Sequence, residues 1–181
     1  MRSFLYIALL FFLFAACNGE KKTSFKDTEE WQAYVNDPKN GFIVSEETSD
    51  LRFDLKFEPA ISNEEIPQFT VHLRISRKDG GSVLDYKTNS KQEALGREGY
   101  LSFELKKDVY IDENGHANPA IFHHYERNYG LKPTIDIFFN FMQMSPKDDV
   151  YFTYRDELFG QGLIRIKLNK ELFTECYVEN A

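Results

Sequence analysis

The sequence LRFDLKF, residues 51–57, alternates apolar and charged side chains without a break. A period of two is typical of a β-strand that buries one face and exposes the other. The segment FTVHLRI at 69–75 repeats this pattern, and IDIFFNF at 135–141 presents one apolar and one mixed face. These three segments therefore predict a sheet with one face turned toward a core.

Weaker signals predict more strands along the rest of the chain. The remaining predicted strands are 101–105, continued past a bulge by 109–111, then 150–154, 163–168 and 172–178. Residues 90–97 are polar and could hold one helical turn. About seven or eight short strands separated by turns favour a single mainly β domain, an antiparallel β-sandwich or a small barrel with two short helices.

Two segments carry the signals of those helices. Residues 28–36 follow Asp27 and begin with Thr28, either of which can cap a helix, and acidic residues occupy the first turn. A second helix is predicted from Asn118, a capping residue that a proline follows, to Gly130, which suits a left-handed helix exit. A parallel α/β fold is disfavoured, because it would need a helix after most strands.

The first sixteen residues show the zones of an export signal. Arg2 supplies a positive charge, residues 4–14 form an apolar run, and Ala15 and Ala16 directly precede Cys17. The run is too short to span a bilayer, which takes about 20 apolar residues. It is therefore interpreted as the apolar region of a cleaved signal peptide, residues 1–16.

The segment Phe14-Ala15-Ala16-Cys17 resembles the bacterial lipobox, although leucine is more usual than Phe14 at its position. The resemblance implies cleavage before Cys17 and acylation of that cysteine, which then anchors the chain to membrane lipid. Two or more acyl chains anchor a protein stably. The alternatives are an ordinary cleaved signal with a chance cysteine, or an uncleaved N-terminal anchor.

Residues 17–27 are expected to form a lipidated tether, and residues 28–181 the single β-rich domain. Asn18 is not the aspartate that, by resemblance to Gram-negative sorting rules, favours retention in the inner membrane. The expected location is therefore the cell envelope of a Gram-negative bacterium, at the outer membrane. The domain could face either the periplasm or the cell exterior.

Charge and cysteine content limit the expected partners. The chain has 22 Lys and Arg against 29 Asp and Glu. This acidic balance disfavours nucleic acid, so the expected partners are membrane lipid through Cys17 and another envelope protein. With Cys17 acylated, Cys176 has no intramolecular partner. It is interpreted as a small apolar core residue, with a reactive thiol or an intermolecular bridge as alternatives.

The sequence holds no motif of a nucleophile elbow, zinc protease, phosphate loop or dinucleotide site, so no catalytic residue, cofactor or metal is expected. His123 and His124, with His116 and Glu126, come nearest to a metal cluster. On a helix, consecutive side chains point about 100° apart, so these histidines are interpreted as surface or capping residues. Paired carboxylates of a glycosidase cannot be recognised by spacing, and an envelope hydrolase ranks last.

Charged residues stand beside aromatic ones near the end of the predicted second helix. Tyr125, Glu126, Arg127 and Tyr129 form a candidate binding surface. The same residues would serve equally well as an ordinary exposed ion pair beside packed aromatic rings.

Several segments together resemble a group of small uncharacterised lipoproteins from Bacteroidota. They are DPKNGF at 37–42, YERNYG at 125–130, and Asp156 with Gly162. The resemblance implies an envelope location and carries no activity. The leading hypothesis is a non-enzymatic envelope lipoprotein that binds or supports another component. The alternative is a small-ligand lipoprotein that holds a lipid or glycan in an apolar or aromatic pocket.

Overall fold

The computed structural model of the chain describes residues 21–62, 65–88 and 90–179. The predicted signal peptide and Cys17 lie outside the described residues. The strands are β1 (Ser24–Phe25), β2 (Ile43–Glu47), β3 (Leu51–Glu58), β4 (Gln68–Arg77), β5 (Val109–Glu113), β6 (His116–Pro119), β7 (Phe122–Glu126), β8 (Ile135–Met142), β9 (Val150–Asp156), β10 (Gly162–Leu168) and β11 (Tyr177–Val178). The helices are α1 (Thr28–Asn36) and α2 (Lys91–Phe103), and short 3-10 turns lie at Pro38–Asn40, Leu105–Asp108 and Lys170–Phe173.

Nine strands form two antiparallel sheets. One has the order β2-β3-β4-β8-β7 and the other the order β10-β9-β5-β6. Strands β1 and β11 form a separate parallel pair. Because neither large sheet closes on itself, the molecule is a sandwich. The predicted mainly β, antiparallel architecture is confirmed.

The three alternating segments lie side by side as β3, β4 and β8, in a register that puts their apolar residues on one face. This face is fully buried against the four-stranded sheet, where the ring of Phe139 on β8 lies 6.1 Å from that of Phe152 on β9. The core is therefore one continuous apolar cluster between the sheets. Its members from β3, β4 and β8 are Leu51, Phe53, Leu55, Phe57, Phe69, Val71, Leu73, Ile75, Ile135, Ile137, Phe139 and Phe141.

The first predicted helix is confirmed as α1. The Asp27 side chain caps it by accepting a hydrogen bond from the Glu30 N–H at 2.8 Å. Trp31 and Val35 are its buried residues. Among the described residues, no helix combines the length and apolar character needed to cross a membrane.

The predicted second helix, from Asn118 to Gly130, is wrong. Residues in this range belong to β6 and β7 instead. Asn114 and Gly115 both have positive φ, which closes a tight hairpin and pairs β6 with β5. Strand β7 then pairs with β8, so non-local pairing outweighs the local capping signals.

The predicted strand at 101–105 is wrong as well, because α2 extends through Phe103. Ser90 caps this helix by accepting a hydrogen bond from the Glu93 N–H at 3.2 Å. Leu101 and Leu105 are buried, whereas Phe103 is exposed, so the alternation does not reflect a strand. Two glycines inside the helix weaken its local signal. The predicted strand at 172–178 is reduced to β11, preceded by a 3-10 turn.

The folded part begins earlier than residue 28. Within the expected tether, β1 pairs with β11, and Phe25 is only 2% exposed. The Phe25 ring packs 5.2 Å from that of Tyr34. One aromatic residue in a polar stretch gives no periodicity, and its partner strand lies at the other end of the chain. Composition alone therefore does not reveal this strand.

Cys176 is a packed core residue, as interpreted from the sequence. Burial raises the pKa of its thiol to about 11, and the nearby Trp31 side chain partly opposes that rise. The thiolate, which is the reactive form, is consequently scarce at neutral pH.

Candidate binding groove

Strand β7 is an outer edge of the five-stranded sheet, and the C-terminal end of α2 lies beside it. The ring of His123 on β7 bonds through Nε2 to the carbonyl oxygen of Leu101 at 2.9 Å. Arg127 donates from Nη2 to the hydroxyl oxygen of Ser102 at 3.2 Å. These two contacts hold the helix end against the strand and leave an open groove of about 490 Å³. The groove is lined by Ser102, Phe103, His123, His124, Tyr125, Glu126, Arg127 and Tyr129.

All four residues of the predicted binding surface line this groove, although they lie on β7 and the turn after it and not on a helix. Their exposure differs. Tyr129 is 83% exposed, whereas Tyr125 is 5% exposed. Burial, reinforced by the Glu98 carboxylate, raises the pKa of Tyr125 to about 12. Its hydroxyl has no hydrogen-bond partner within the described part of the chain.

The turn after β7 constrains the backbone at Tyr129. Tyr129 has a φ of 51° and Gly130 a φ of 77°, so two successive residues are left-handed. The side chain of Asn128 accepts from the Gly130 N–H at 3.0 Å and donates to the carbonyl of Thr134 at 2.8 Å. A left-handed tyrosine persists only where its surroundings enforce it. The turn therefore constrains the backbone at Tyr129, whose ring is exposed to solvent.

Two side chains that the sequence does not single out complete the groove. Phe103 is 77% exposed at the end of α2, and Ser102 receives the hydrogen bond of Arg127. They lie more than twenty residues from Tyr129 in the sequence. Only the packing of α2 against β7 brings them into the groove. The exposure of Phe103, a large apolar residue that the sequence pattern assigns to the buried face of a strand, is the feature that marks this surface.

The charges of the groove are unequally matched. Glu126 forms an ion pair with Lys132 at 3.5 Å. Arg127 has only the neutral Ser102 hydroxyl as a side-chain partner, and no carboxylate of the described residues lies within ion-pair distance of it. The groove therefore offers a cation that an acidic group on a ligand could pair with.

The histidines do not converge on one point. His123 and His124 are consecutive on a strand, so their side chains point to opposite faces. The His123 ring stacks on Phe139, and burial lowers the pKa of His123. His116 belongs to β6 in the other sheet. In residues 21–62, 65–88 and 90–179, no group of three or more His, Cys, Asp or Glu side chains could hold a metal ion.

Two buried carboxylates, Asp108 and Asp156, do not line the groove, and each is bound to a tyrosine. The hydroxyl of Tyr100 donates to Asp108, and that of Tyr154 donates to Asp156 at 3.0 Å. Burial raises the pKa of Tyr154 far above its ordinary value, and the charge of Asp156 adds to this effect. Asp156 also accepts hydrogen bonds from three backbone N–H groups. These contacts give Asp156 a structural role.

A third buried carboxylate lies on the outer face of the five-stranded sheet. The side chain of Asp136 is 3% exposed, and it accepts hydrogen bonds from Arg74 Nε at 2.7 Å and His72 Nε2 at 2.9 Å. The His72 ring stacks on Phe138 at 4.3 Å. Burial raises the pKa of Asp136, but the bonds from Arg74 and His72 outweigh burial, so this pKa lies below its usual range.

This lowered pKa predicts a pH-dependent stability. A carboxyl group whose folded pKa is depressed stabilises the fold fully above its unfolded pKa of about 3.9, and the contribution is lost as pH falls through the folded value. Asp136→Asn should cost about 1–3 kcal/mol at pH 7 and less at pH 3. Urea unfolding at both pH values measures this, with the exposed Asp148→Asn as control. An Asp136→Asn loss that is equal at both pH values would contradict the assignment.

Comparison of the chain with known protein families, with curated proteins and with solved structures gives no match. The function of the groove is therefore inferred from its own residues and from its place in the fold.

Proposed function

We propose that this chain is a membrane-anchored lipoprotein of the cell envelope, held by acylated Cys17, whose domain binds another envelope protein. The signal zones of residues 1–16 and the cysteine after them support the anchor. A chain attached by two or more acyl groups needs no membrane-spanning helix. The binding role is carried by a single observation, the groove beside the edge strand β7.

An extended segment of a partner protein is the occupant that this groove fits best. An edge strand offers unpaired backbone groups, to which a partner strand can add by β-augmentation. Phe103 and Tyr129 supply exposed aromatic surface beside that edge. Arg127 supplies the unmatched positive charge. The partner segment therefore carries an apolar side chain to contact the two rings and an acidic group to pair with Arg127.

The position of the groove supports access by a partner. Glu126 at the end of β7 pairs with Asp136 at the start of β8, whereas Met142 at the far end of β8 pairs with Gln68. Strand β8 has eight residues and is about 26 Å long. The turn bearing Tyr129 therefore lies at one end of the sheet, opposite the end where β1 begins the fold.

A carrier of a lipid or glycan has less support. Such a protein holds its ligand in a deep apolar cavity. Here the space between the sheets is occupied by packed aromatic rings, including Phe69 and Phe141, which stack at 5.2 Å. An envelope hydrolase has less support still, because Asp156 is engaged by four hydrogen bonds.

Site-specific cross-linking tests the groove. Tyr129 is replaced by the photo-reactive p-benzoylphenylalanine in the full chain, and cells are irradiated before membranes are isolated. We expect a discrete adduct with one protein. Arg127→Ala in the same chain should weaken it about tenfold, because a central arginine typically contributes 1–3 kcal/mol to an interface.

Leu163 provides the matched control, since it is exposed on β10, an edge of the other sheet. The same photo-reactive residue at position 163 should give no such adduct. Equal adducts at positions 129 and 163, or an adduct that Arg127→Ala leaves unchanged, would contradict binding in the groove.

A further inference from the structure

The first described residues of the chain are already attached to the fold. The Lys21 ammonium lies 4.9 Å from the centroid of the Phe42 ring. Lys22 donates from its backbone N–H to the Tyr34 hydroxyl at 3.1 Å, and its side chain bonds to Glu30 at 2.5 Å. The Thr23 carbonyl then accepts from the backbone of β11 at 2.8 Å. The chain is therefore attached to the fold by residue 21, four positions after Cys17.

Four residue steps give the anchor a very short reach. Fully extended, they cover at most about 14 Å, whereas a tether that continued to residue 27 would cover about 35 Å. We infer that the lipidated domain rests against the membrane surface with its β1–β11 end toward the lipid. This inference rests on the proposed acylation of Cys17.

The end of the sandwich around β1 and β11 has a surface suited to this contact. The bridge between Ile61 and Cys176 joins the loop after β3 to this end. Large apolar side chains are exposed on it, at Ile66, Met142 and Tyr177. A tyrosine with a wet hydroxyl and an apolar ring is well placed at a membrane interface.

The orientation has a consequence for the groove. The turn bearing Tyr129 lies at the opposite end of β8, a strand about 26 Å long, and is therefore farther from the lipid than the β1–β11 end. A lipid surface therefore covers one end of the sandwich and leaves the other end directed away from the membrane. Because the anchor is short, only partners that extend above the membrane surface can reach the groove.

The chain contains a single tryptophan, which provides a direct test. Trp31 lies on α1, and its buried side chain is close to Cys176 beside β11. The purified lipidated protein is reconstituted in vesicles of phosphatidylethanolamine and phosphatidylglycerol that include dansyl-labelled phosphatidylethanolamine. Energy transfer from Trp31 to the dansyl groups reports the distance of this end from the lipid headgroups. We expect strong transfer.

A flexible spacer tests whether the short tether is what keeps the β1–β11 end close to the lipid. Ten Gly and Ser residues inserted between Glu20 and Lys21 add an average reach of about 17 Å and should reduce the transfer efficiency about twofold or more. The same ten residues inserted between Leu131 and Lys132, at the opposite end, should leave it unchanged. Leu131 and Lys132 are exposed and lie outside strands and helices, and circular dichroism verifies that each variant is folded.

The outcomes separate the two proposals. In protein whose Cys17 carries acyl chains by mass spectrometry, weak transfer overturns the orientation, and strong transfer that the spacer at Lys21 leaves unchanged overturns the short anchor as its cause. Purified mature protein that lacks acyl chains at Cys17 overturns the lipoprotein proposal, and the orientation falls with it. A twofold or larger loss for the spacer at Lys21, and none for the other insertion, supports the orientation.

Discussion

Replacement of Phe139 by alanine is expected to lower the free energy of unfolding by about 3–5 kcal/mol. Phe139 is fully buried at the centre of β8 and contacts both sheets. Its ring lies 6.1 Å from those of Phe152 and His123, and 6.5 Å from that of Phe141. Its removal leaves a cavity that rigid neighbouring strands cannot fill. Urea unfolding monitored by far-ultraviolet circular dichroism measures the loss.

Phe103→Ala is the matched control for this variant, because it removes the same side chain from an exposed position. It should change the free energy of unfolding by no more than about 0.5 kcal/mol. If the two alanine variants lost the same stability, the sandwich would not place Phe139 between its sheets. Phe103→Ala is also expected to weaken the partner adduct of the groove while leaving the fold intact.

Asp156→Ala should cost about 3 kcal/mol or more, the second largest effect expected of a single change. Asp156 accepts a hydrogen bond from the Tyr154 hydroxyl and from three backbone N–H groups of the following turn, between 2.8 and 3.0 Å. Alanine leaves these buried donors without an acceptor. The loss is measured by urea unfolding at neutral pH.

Asp156→Asn distinguishes hydrogen bonding from a general effect of the position. Asparagine keeps one acceptor oxygen, so the three donors to Oδ1 can stay bonded, while its amide group faces the Gln161 N–H. An intermediate loss is expected. The exposed Asp148→Ala should be nearly neutral. If the Asp156→Ala variant had the same urea midpoint of unfolding as the wild type, the structural role of Asp156 would be refuted.

The strands that sequence patterns predict correctly are those whose burial follows from their own residues. β3, β4 and β8 each bury every second residue, and this period is visible without knowledge of the partners. The segment from Asn118 to Gly130 fails because its capping residues are local signals for a helix, whereas the hairpin β5–β6 and the pairing of β7 with β8 are not local.

The groove was only partly predictable for the same reason. Tyr125, Glu126, Arg127 and Tyr129 are neighbours in sequence, so any fold keeps them close together. Their partners from α2 are brought there by tertiary packing. The strand β1 shows this limit again, because Phe25 becomes a core residue only through β11, near the other end of the chain.

The central claim, on which the anchor and the orientation both depend, is the acylation of Cys17. The most direct measurement is labelling of the full chain with an alkyne fatty acid in a Gram-negative host. Mass spectrometry of the N-terminal peptide then identifies the modified residue. Wild type and Cys176→Ser should both be labelled and begin at Cys17, whereas Cys17→Ser should remain unlabelled and keep its signal peptide. A labelled Cys17→Ser variant, or a wild-type mature chain without acyl groups at Cys17, would contradict the account.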